Sequence, residues 1–438
     1  MCASLAGRAS RRWDSLMAMF DSAQTHIDDL ADFVVASPTS YHAADQIAVR
    51  LRQAGFEQVD ERTSYESVTG RRFVVRAGAV IAWVAPEELA PEAGFRIVGT
   101  HTDSPSFKVK PGALLRSAGW VELGVEIYGG PLINSWLDRD LGVAGRIVTR
   151  DGETHLVRTG PIARIPQLAI HLDRGANDGL KLDKQAHTQP ILAVDLKQPL
   201  IEHLASLIGV KGEDVAFHDL FVFDTQRPGV IGVEREFLAS GRLDNLACTH
   251  AALTAMESVE STGRDVAVFA AFDHEEVGSA TPSGAAGPIL QDALERIAAG
   301  YGLGLDGTRA MIARSTCISA DTGHVVHPNY PGHHDPMNQP LPNRGPLLKI
   351  NANQRYATDA VGAALWLSVC DEAGVPTQPF VSNNGVPCGS TIGPITATRL
   401  GITTVDVGVG LLSMHSAREL CGVDDPWYLA RAARAYWN

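Results

Sequence analysis

The fold is decided by one stretch of the chain, Phe269-Ala270-Ala271-Phe272-Asp273-His274-Glu275-Glu276-Val277-Gly278-Ser279. An apolar run that begins at Val266 stops there, after Phe272, at a cluster of acids. This pattern is typical of a buried central strand of an α/β sheet, which carries polar side chains to the carboxyl edge where such folds bind ligands. Of the two adjacent glutamates, one can coordinate a metal while the other accepts a proton from water. The alternative is a solvated acidic turn.

Three further apolar runs end close to polar side chains. The runs cover residues 95–100, 316–320 and 404–409. The polar residues that follow them are His101 with Asp103, Asp321, and His415. Because side chains two residues apart lie on the same side of an extended chain, Asp103 can support His101 as a metal ligand. The carboxyl ends of parallel strands meet at one edge of a sheet, so we expect these side chains to lie together.

A fifth candidate, Asp244, lies in Ser240-Gly241-Arg242-Leu243-Asp244-Asn245-Leu246, at the start of a predicted helix. A carboxylate is favoured in a first helical turn, so a capping role is the alternative to a metal ligand. The candidate ligands are therefore His101, Asp244, Glu276, Asp321 and His415. Oxygen and imidazole ligands without thiolate favour zinc, manganese or cobalt in an open catalytic site. Five ligands fit two metals if Asp244 bridges them, which leaves Glu275 free as a general base.

The length of 438 residues favours two domains. From about Phe107 to Leu238 the apolar and polar residues alternate, as they do in half-buried antiparallel strands. Because sheet-edge motifs occur on both sides of this stretch, we predict a mostly β domain inserted into an α/β domain. The predicted divisions are a disordered extension at 1–18, a catalytic domain at 19–106 and 239–438, and the insert at 107–238.

Composition and charge exclude several classes of protein. The formal net charge of −13 argues against a nucleic-acid partner. The chain has no run of about 18 apolar residues, so no membrane span is predicted. The basic N-terminal stretch lacks the apolar segment of a secretory signal. The six cysteines are scattered and form no C-x-x-C motif, which indicates reduced thiols and a cytoplasmic location.

Eight groups of short motifs follow one another along the chain. They are H-T-D-S-P at 101–105, R-L-D-N-L at 242–246, D-H-E-E-V-G-S at 273–279, S-A-D at 319–321, H-P-N-Y at 327–330, Q-R-Y-A at 354–357, P-C-G-S-T-I-G-P at 387–394, and M-H-S at 414–416 with R-E-L at 418–420. With these motifs the chain closely resembles the M18 metallo-aminopeptidases, the aspartyl aminopeptidase family. The resemblance runs from about residue 19 to the C-terminus.

This resemblance implies a three-layer α/β/α dizinc aminopeptidase domain with an inserted, mostly β dimerisation domain. It also implies dimers that assemble into a tetrahedral dodecamer. By resemblance, one zinc is bound by Asp244, Glu276 and His415, and the other by His101, Asp244 and Asp321. Glu275 matches the family's base and proton shuttle, and Asp103 matches the carboxylate that orients His101. The ligand set also tolerates Mn²⁺ or Co²⁺.

The family resemblance further implies peptide substrates with a free N-terminus, and often an acidic first residue. Lys349 matches a family lysine proposed to bind the acidic side chain, although an ordinary strand-end charge is an alternative. His171 matches a histidine by which one subunit completes its neighbour's site, and Tyr356 is a further expected substrate-binding residue. The competing functions are a deacylase or carboxypeptidase on the same scaffold, and a non-catalytic oligomeric shell.

Overall fold

The computed structural model describes residues 20–260 and 263–438, so the predicted extension at 1–18 lies outside the described residues. A nine-stranded mixed sheet forms the centre of the molecule. Its strands, in spatial order, are β1 (Glu57–Gln58), β2 (Gly70–Arg76), β3 (Ala79–Ala85), β13 (Val266–Phe272), β4 (Phe95–His101), β14 (Thr316–Ala320), β18 (Thr403–Gly408), β16 (Leu347–Ile350) and β17 (Gln378–Val381). The four central strands, β13, β4, β14 and β18, are parallel to one another.

Helices cover both faces of this sheet. One face carries α1 (Ala23–Ala36), α2 (Ser40–Gln53), α4 (Leu243–Ser258), α7 (Ala360–Ala373) and α9 (Asp425–Trp437). The other carries α5 (Ile289–Gly300), α6 (Leu305–Ala313) and α8 (Ile392–Leu400). Strand β13 contributes Phe269 to the first core and Val268 and Phe272 to the second, because successive side chains point to opposite faces. The predicted three-layer α/β/α architecture is confirmed.

A second sheet has six strands, and every neighbouring pair is antiparallel. In spatial order these are β8 (Thr154–Arg158), β7 (Leu141–Thr149), β10 (Val215–Asp224), β5 (Ser106–Ser117), β6 (Trp120–Tyr128) and β9 (Ile191–Ala193). Helix α3 (Leu200–Leu207) packs on it through Leu204. The buried rings of Phe107 and Trp136 meet edge to face at 5.1 Å in its core. This unit therefore has a hydrophobic core of its own.

A third, five-stranded sheet connects segments that are far apart in the chain. Its strands, in spatial order, are β11 (Gly229–Ile231), β12 (Phe237–Ser240), β20 (Glu419–Gly422), β19 (Gly410–Leu412) and β15 (Gly323–His324). The predicted end of the insert at residue 238 falls inside β12, and the domain boundaries stay a prediction. The sheet helps to position three candidate ligands. Strand β12 leads into Asp244, β15 follows Asp321, and the turn from β19 to β20 carries His415.

Within residues 20–260 and 263–438, no helix combines the length and apolar character needed to cross a bilayer.

Candidate metal centre

The carboxyl ends of the parallel central strands bring several of the candidate ligands to one edge. His101 is the last residue of β4, and Asp321 directly follows β14. Strand β13 ends at Phe272, and the two glutamates lie three and four residues further on, in the short 3-10 turn Glu275–Val277. The acids thus stand beyond the strand end, after His274 in a left-handed backbone conformation with φ of 63°.

Asp244 lies between the two candidate histidines. Its Oδ1 is 3.4 Å from Nε2 of His101, and its Oδ2 is 3.4 Å from Nε2 of His415. The residue is buried in the first turn of α4, and the peptide bond to Asn245 is cis. Each carboxylate oxygen therefore faces a different imidazole, and both oxygens would be available to a metal ligand set.

Further carboxylates lie beside each histidine, and for His101 they include Glu275, whose Oε2 is 3.9 Å from Nε2. Nε2 of His101 is 3.5 Å from Oδ1 of Asp321, and Nε2 of His415 is 3.4 Å from Oε2 of Glu276. Single ligand atoms of His101, Asp244 and Glu276 also lie within 4.8 Å of one another. The structure thus brings together all five side chains that the sequence singled out.

Asp103 supports both the histidine and the two glutamates. Its Oδ1 is 3.4 Å from Nδ1 of His101 and accepts a hydrogen bond from the backbone N–H of Glu275 at 3.0 Å. Its Oδ2 accepts from the backbone N–H of Glu276 at 3.1 Å and from the hydroxyl of Tyr128 at 2.7 Å. One buried carboxylate therefore fixes the strand end that carries His101 relative to the turn that carries the glutamates.

The hydrogen bonds at Nδ1 fix the tautomers of the histidines. Nδ1 of His101 lies 3.1 Å from the carbonyl oxygen of Asp103, and Nδ1 of His415 lies 2.9 Å from the carbonyl oxygen of Gly130. A carbonyl oxygen can only accept, so in both rings Nδ1 carries the hydrogen. When the rings are neutral, the lone pair of Nε2 faces the carboxylates and is free to bind a metal ion.

The buried ligand atoms of the cluster have the properties of metal ligands. Among the described residues, the buried Oδ1 of Asp244 and Oε1 of Glu276 have no hydrogen-bond partner. A buried polar atom without a partner costs about 1–3 kcal/mol, and more when it is charged. Lone pairs and carboxylates that face one another at 3.4 Å also repel unless a positive charge lies between them. Carboxylate and imidazole donors suit zinc, so these residues fit such an ion.

Several titratable groups of the cluster have raised pKa values. Burial raises the pKa of Glu275 to about 8 and that of Glu276 well above its usual range, and neighbouring carboxylates add to both effects. Burial would lower the pKa of His415, but the hydrogen bond to Asp244 and its charge outweigh this and raise it to about 9. A bound cation would favour the ionised carboxylates and the neutral imidazoles instead.

A cavity of about 380 Å³ opens onto the cluster and contains two of the predicted substrate residues, Lys349 and Tyr356. Glu275 also lines it. Lys349 is only 1% exposed, and its Nζ donates to the carbonyl of Thr322 at 2.6 Å and lies 5.2 Å from the centre of the Tyr356 ring. His171 is exposed on a loop and does not line this cavity within the described chain.

Sequence reasoning missed Glu419, which supports two ligands at once. This buried carboxylate accepts the backbone N–H of Asp244 at 3.0 Å and that of His415 at 2.7 Å. Its only signal in the sequence is weak, a glutamate four residues after the final histidine, in the R-E-L motif. Burial, and then the charge of Asp244, raise the pKa of Glu419 to about 8.

A carboxylate and imidazole cluster at the carboxyl edge of an α/β/α sheet, with a free glutamate beside it, defines a metal-dependent hydrolase. The family model of the aminopeptidase I zinc metalloproteases (M18) matches residues 33–437. The chain therefore belongs to the M18 family and is a zinc metallo-aminopeptidase, a hydrolase that acts on peptides. The resemblance found in its motifs is confirmed.

Curated relatives and solved structures agree with this assignment. The chain is 52% identical to the probable M18 family aminopeptidase 2 of Streptomyces avermitilis, over 94% of this chain and 97% of that protein. It is 39% identical to a probable aspartyl aminopeptidase of Ricinus communis, over 94% of each. The crystal structure of prApe1 matches with a TM-score of 0.92 and 29% identity, covering 98% of this chain and 96% of that one. A structure of the S. cerevisiae mApe1 dodecamer matches with a TM-score of 0.83 and 28% identity, covering 95% and 96%.

These relatives give no support to the alternative functions, the deacylase, the carboxypeptidase and the non-catalytic shell.

Proposed function

We propose that this aminopeptidase releases an unblocked acidic residue, aspartate or glutamate, from the N-terminus of peptides, and that it does so with two zinc ions and Glu275 as general base. The observation that carries the proposal is the position of Asp244, whose two oxygens face His101 and His415 at 3.4 Å each. One zinc would be held by Asp244, Glu276 and His415. The other would be held by His101, Asp244 and Asp321. Mn²⁺ or Co²⁺ could take the same places.

Zinc at these residues supplies a Lewis acid that polarises the scissile carbonyl and makes a water molecule more acidic. Glu275 is the side chain available for proton transfer, because it lines the cavity and belongs to neither proposed set of zinc ligands. Its carboxylate accepts the proton of the attacking water and passes it to the leaving amine. Asp103 acts indirectly, since it holds the turn of Glu275 and the ring of His101 in register.

The preference for an acidic residue rests on Lys349. A buried ammonium group is costly unless it is paired, and in the described chain Nζ of Lys349 donates to a neutral backbone carbonyl. A substrate carboxylate that entered the cavity could accept a hydrogen bond from the ammonium group, in addition to its longer-range attraction to Asp406. Tyr356 lies beside the amine and would pack against the substrate side chain. The relative from Ricinus communis is described as a probable aspartyl aminopeptidase, in line with this preference.

The assignment of the base is tested by exchange of Glu275 for Gln. Because Gln cannot accept the proton, we expect kcat to fall about 10²–10⁴-fold. Zinc content, measured by elemental analysis, should stay at the wild-type value, since Glu275 is not one of the proposed ligands. The matched control is Glu295→Gln on helix α5, because this glutamate pairs with Arg309 and Gln291 and does not line the cavity in the described chain. Turnover that survives Glu275→Gln would contradict the assignment.

Substrate preference is tested separately, with anilides of aspartate, glutamate and leucine. Lys349→Met keeps the length of the side chain but removes its charge. The loss of one charged hydrogen bond, worth about 1.5–3 kcal/mol, should lower kcat/KM for the two acidic anilides about 10–100-fold. The leucine anilide is the internal control and should be hydrolysed at least as well as before. An equal loss for all three substrates would contradict the role of Lys349.

We also propose that the chain forms dimers that assemble into a dodecamer, as the similar mApe1 of S. cerevisiae does. The apolar Leu168 and Leu172, which are exposed beside His171, support such contacts. The cytoplasmic location stays a prediction that rests on the cysteines, five of which are free thiols in the described residues.

A further inference from the structure

A segment of the six-stranded unit reaches across to the candidate metal centre. It begins at Tyr128, the last residue of β6, and runs to Ser135 on the way to β7. We call residues 128–135 the strap. It comes from a sheet other than the one that ends at His101, yet it contacts Asp103, which supports His101, and it contacts His415 itself.

At the His101 side, the contact is made by the Tyr128 side chain. Its hydroxyl donates to Oδ2 of Asp103 at 2.7 Å, while Oδ1 of Asp103 lies 3.4 Å from Nδ1 of His101. The Tyr128 ring meets the Phe221 ring edge to face at 5.3 Å, which holds the hydroxyl in place independently of the hydrogen bond. Tyr128, Asp103 and His101 therefore form a chain of contacts that ends at a proposed ligand.

At the His415 side, the strap uses its backbone and one serine. The carbonyl of Gly130 accepts from Nδ1 of His415 at 2.9 Å, and the N–H of Leu132 donates to the carbonyl of His415 at 2.9 Å. The N–H of Ala417, two residues after His415, donates to Oγ of Ser135 at 2.8 Å. The strap thus holds the ring and the backbone of His415.

Between these two contacts, the strap passes close to a third proposed ligand. Gly129 has a φ of +70°, and a Cβ atom there would lie 3.1 Å from Cβ of Glu276. A side chain at this position would be strained in its backbone and crowded against the glutamate. The absence of a side chain lets the strap approach the centre closely.

We propose that the strap is a positioning element for the metal centre, with Tyr128 as its principal positioning residue. By donating to Asp103 and by accepting from His415, the strap fixes the orientation of both imidazoles, so that each Nε2 faces the carboxylates. Groups that bond the second nitrogen of a ligand histidine set the orientation and basicity of the ring. The proposal rests on the proposed function, because it takes His101 and His415 to be zinc ligands.

The test compares Tyr128→Phe with wild type in zinc competition against a chelator, in kinetics and in thermal unfolding of the chelator-treated protein. Loss of the hydroxyl should lower zinc affinity about 10–100-fold, the range seen when an outer partner of a metal ligand is removed. With subsaturating zinc, kcat should fall in proportion to the zinc lost while KM stays unchanged, because the strap does not line the substrate cavity in the described chain.

The matched control is Tyr436→Phe. Tyr436 also places a buried hydroxyl in hydrogen bonds, to Thr316 at 2.6 and 2.9 Å, but at the opposite end of β14 from Asp321. It should lower the melting temperature about as much as Tyr128→Phe and leave zinc affinity unchanged. A purely structural role for Tyr128 would make the two variants alike in zinc affinity, and that result would overturn the proposal.

Ser135→Ala provides a second variant that keeps the fold if Tyr128→Phe proves too unstable. It removes the acceptor for Ala417 and should lower zinc affinity severalfold. Wild-type zinc affinity in every folded strap variant would overturn the proposal. Failure of the proposed function looks different, because the wild-type protein itself would then bind no zinc or hydrolyse no peptide anilide.

Discussion

Glu419 determines how two ligands from distant parts of the chain are placed relative to each other. Its two carboxylate oxygens accept the backbone N–H groups of Asp244 and His415. In Glu419→Gln, the amide NH₂ must face one of these donors, so one hydrogen bond is lost. We expect the free energy of unfolding to fall by about 1–3 kcal/mol and zinc affinity to fall about 10–100-fold. Denaturant titration of the metal-free protein and chelator competition measure the two quantities.

Asp425→Asn separates these two effects. The buried Asp425 also accepts two backbone N–H groups, from Asn343 at 2.8 Å and Gly345 at 2.9 Å, but at the start of helix α9. This variant should lose a similar amount of stability and keep its zinc affinity. If Glu419→Gln binds zinc as tightly as Asp425→Asn does, Glu419 has no specific role at the metal centre.

Most of the residues at the centre could be recognised in the sequence, because each follows an apolar run or begins a helix. Glu419 and Tyr128 could not be assigned a role in the same way. Glu419 accepts hydrogen bonds from backbone N–H groups, which every residue but proline carries. The sequence therefore contains no side-chain type that indicates its partners. Tyr128 lies opposite Ser106 in the β5–β6 pair, and this pairing places its hydroxyl beside Asp103, three residues before Ser106. The register of the pair is shifted by an irregularity between Val109 and Leu114, so the contact could not be derived from the sequence.

At the scale of elements, the ends of the parallel strands β14 and β18 lie close together at the metal centre. Gly408 ends β18, and a Cβ atom there would lie 1.6 Å from the carbonyl oxygen of Asp321. Backbone cannot yield as a side chain does, so Gly408→Ala should force the two strand ends apart. We expect a loss of stability of about 1–3 kcal/mol or more, together with weaker zinc binding, since Asp321 moves with its backbone. Thermal unfolding and chelator competition test this.

The control for Gly408→Ala lies on the neighbouring strand β4. At Gly99 an added Cβ would meet Cδ1 of Ile392 at 3.0 Å, and the end of a flexible side chain can move aside. Gly99→Ala should therefore cost less stability and leave zinc affinity unchanged. Equal effects in the two variants would show that the close approach at Asp321 is not what the glycine serves.

The buried central strands were predictable, and the strands of the five-stranded sheet were not. The sequence pattern predicts a strand at 266–272 and another at 316–320, and the structure has β13 and β14 with those bounds. Both strands are apolar runs bounded by polar residues, which is a strong local signal. The five-stranded sheet escaped prediction because its strands have two to four residues, too few for periodicity, and because they pair across the length of the chain.

At the scale of the whole molecule, the question is whether one chain holds a complete active site. His171 is exposed on a loop, and Leu172 beside it is 74% exposed. Exposed apolar side chains in a loop that carries an expected functional residue indicate a contact with another protein surface. In a dimer with twofold symmetry, the loop of each subunit could reach the cavity of its partner, as the family resemblance implies for His171.

Subunit exchange between two inactive variants tests this arrangement. We expect His171→Ala and Glu275→Gln to be inactive as separate homodimers, each lacking one group at every site. In a hybrid dimer, the subunit that carries His171→Ala keeps its own Glu275 and receives His171 from its partner, so one of the two sites is complete. Random exchange makes about half of the dimers hybrids, so activity should recover to about a quarter of the wild-type value.

Mixtures that stay inactive after exchange, verified by mass spectrometry of differently labelled subunits, would contradict a role for His171 in the neighbouring site. Recovery cannot arise from a site built within one chain, because the missing group would then be absent from every subunit that retains the other.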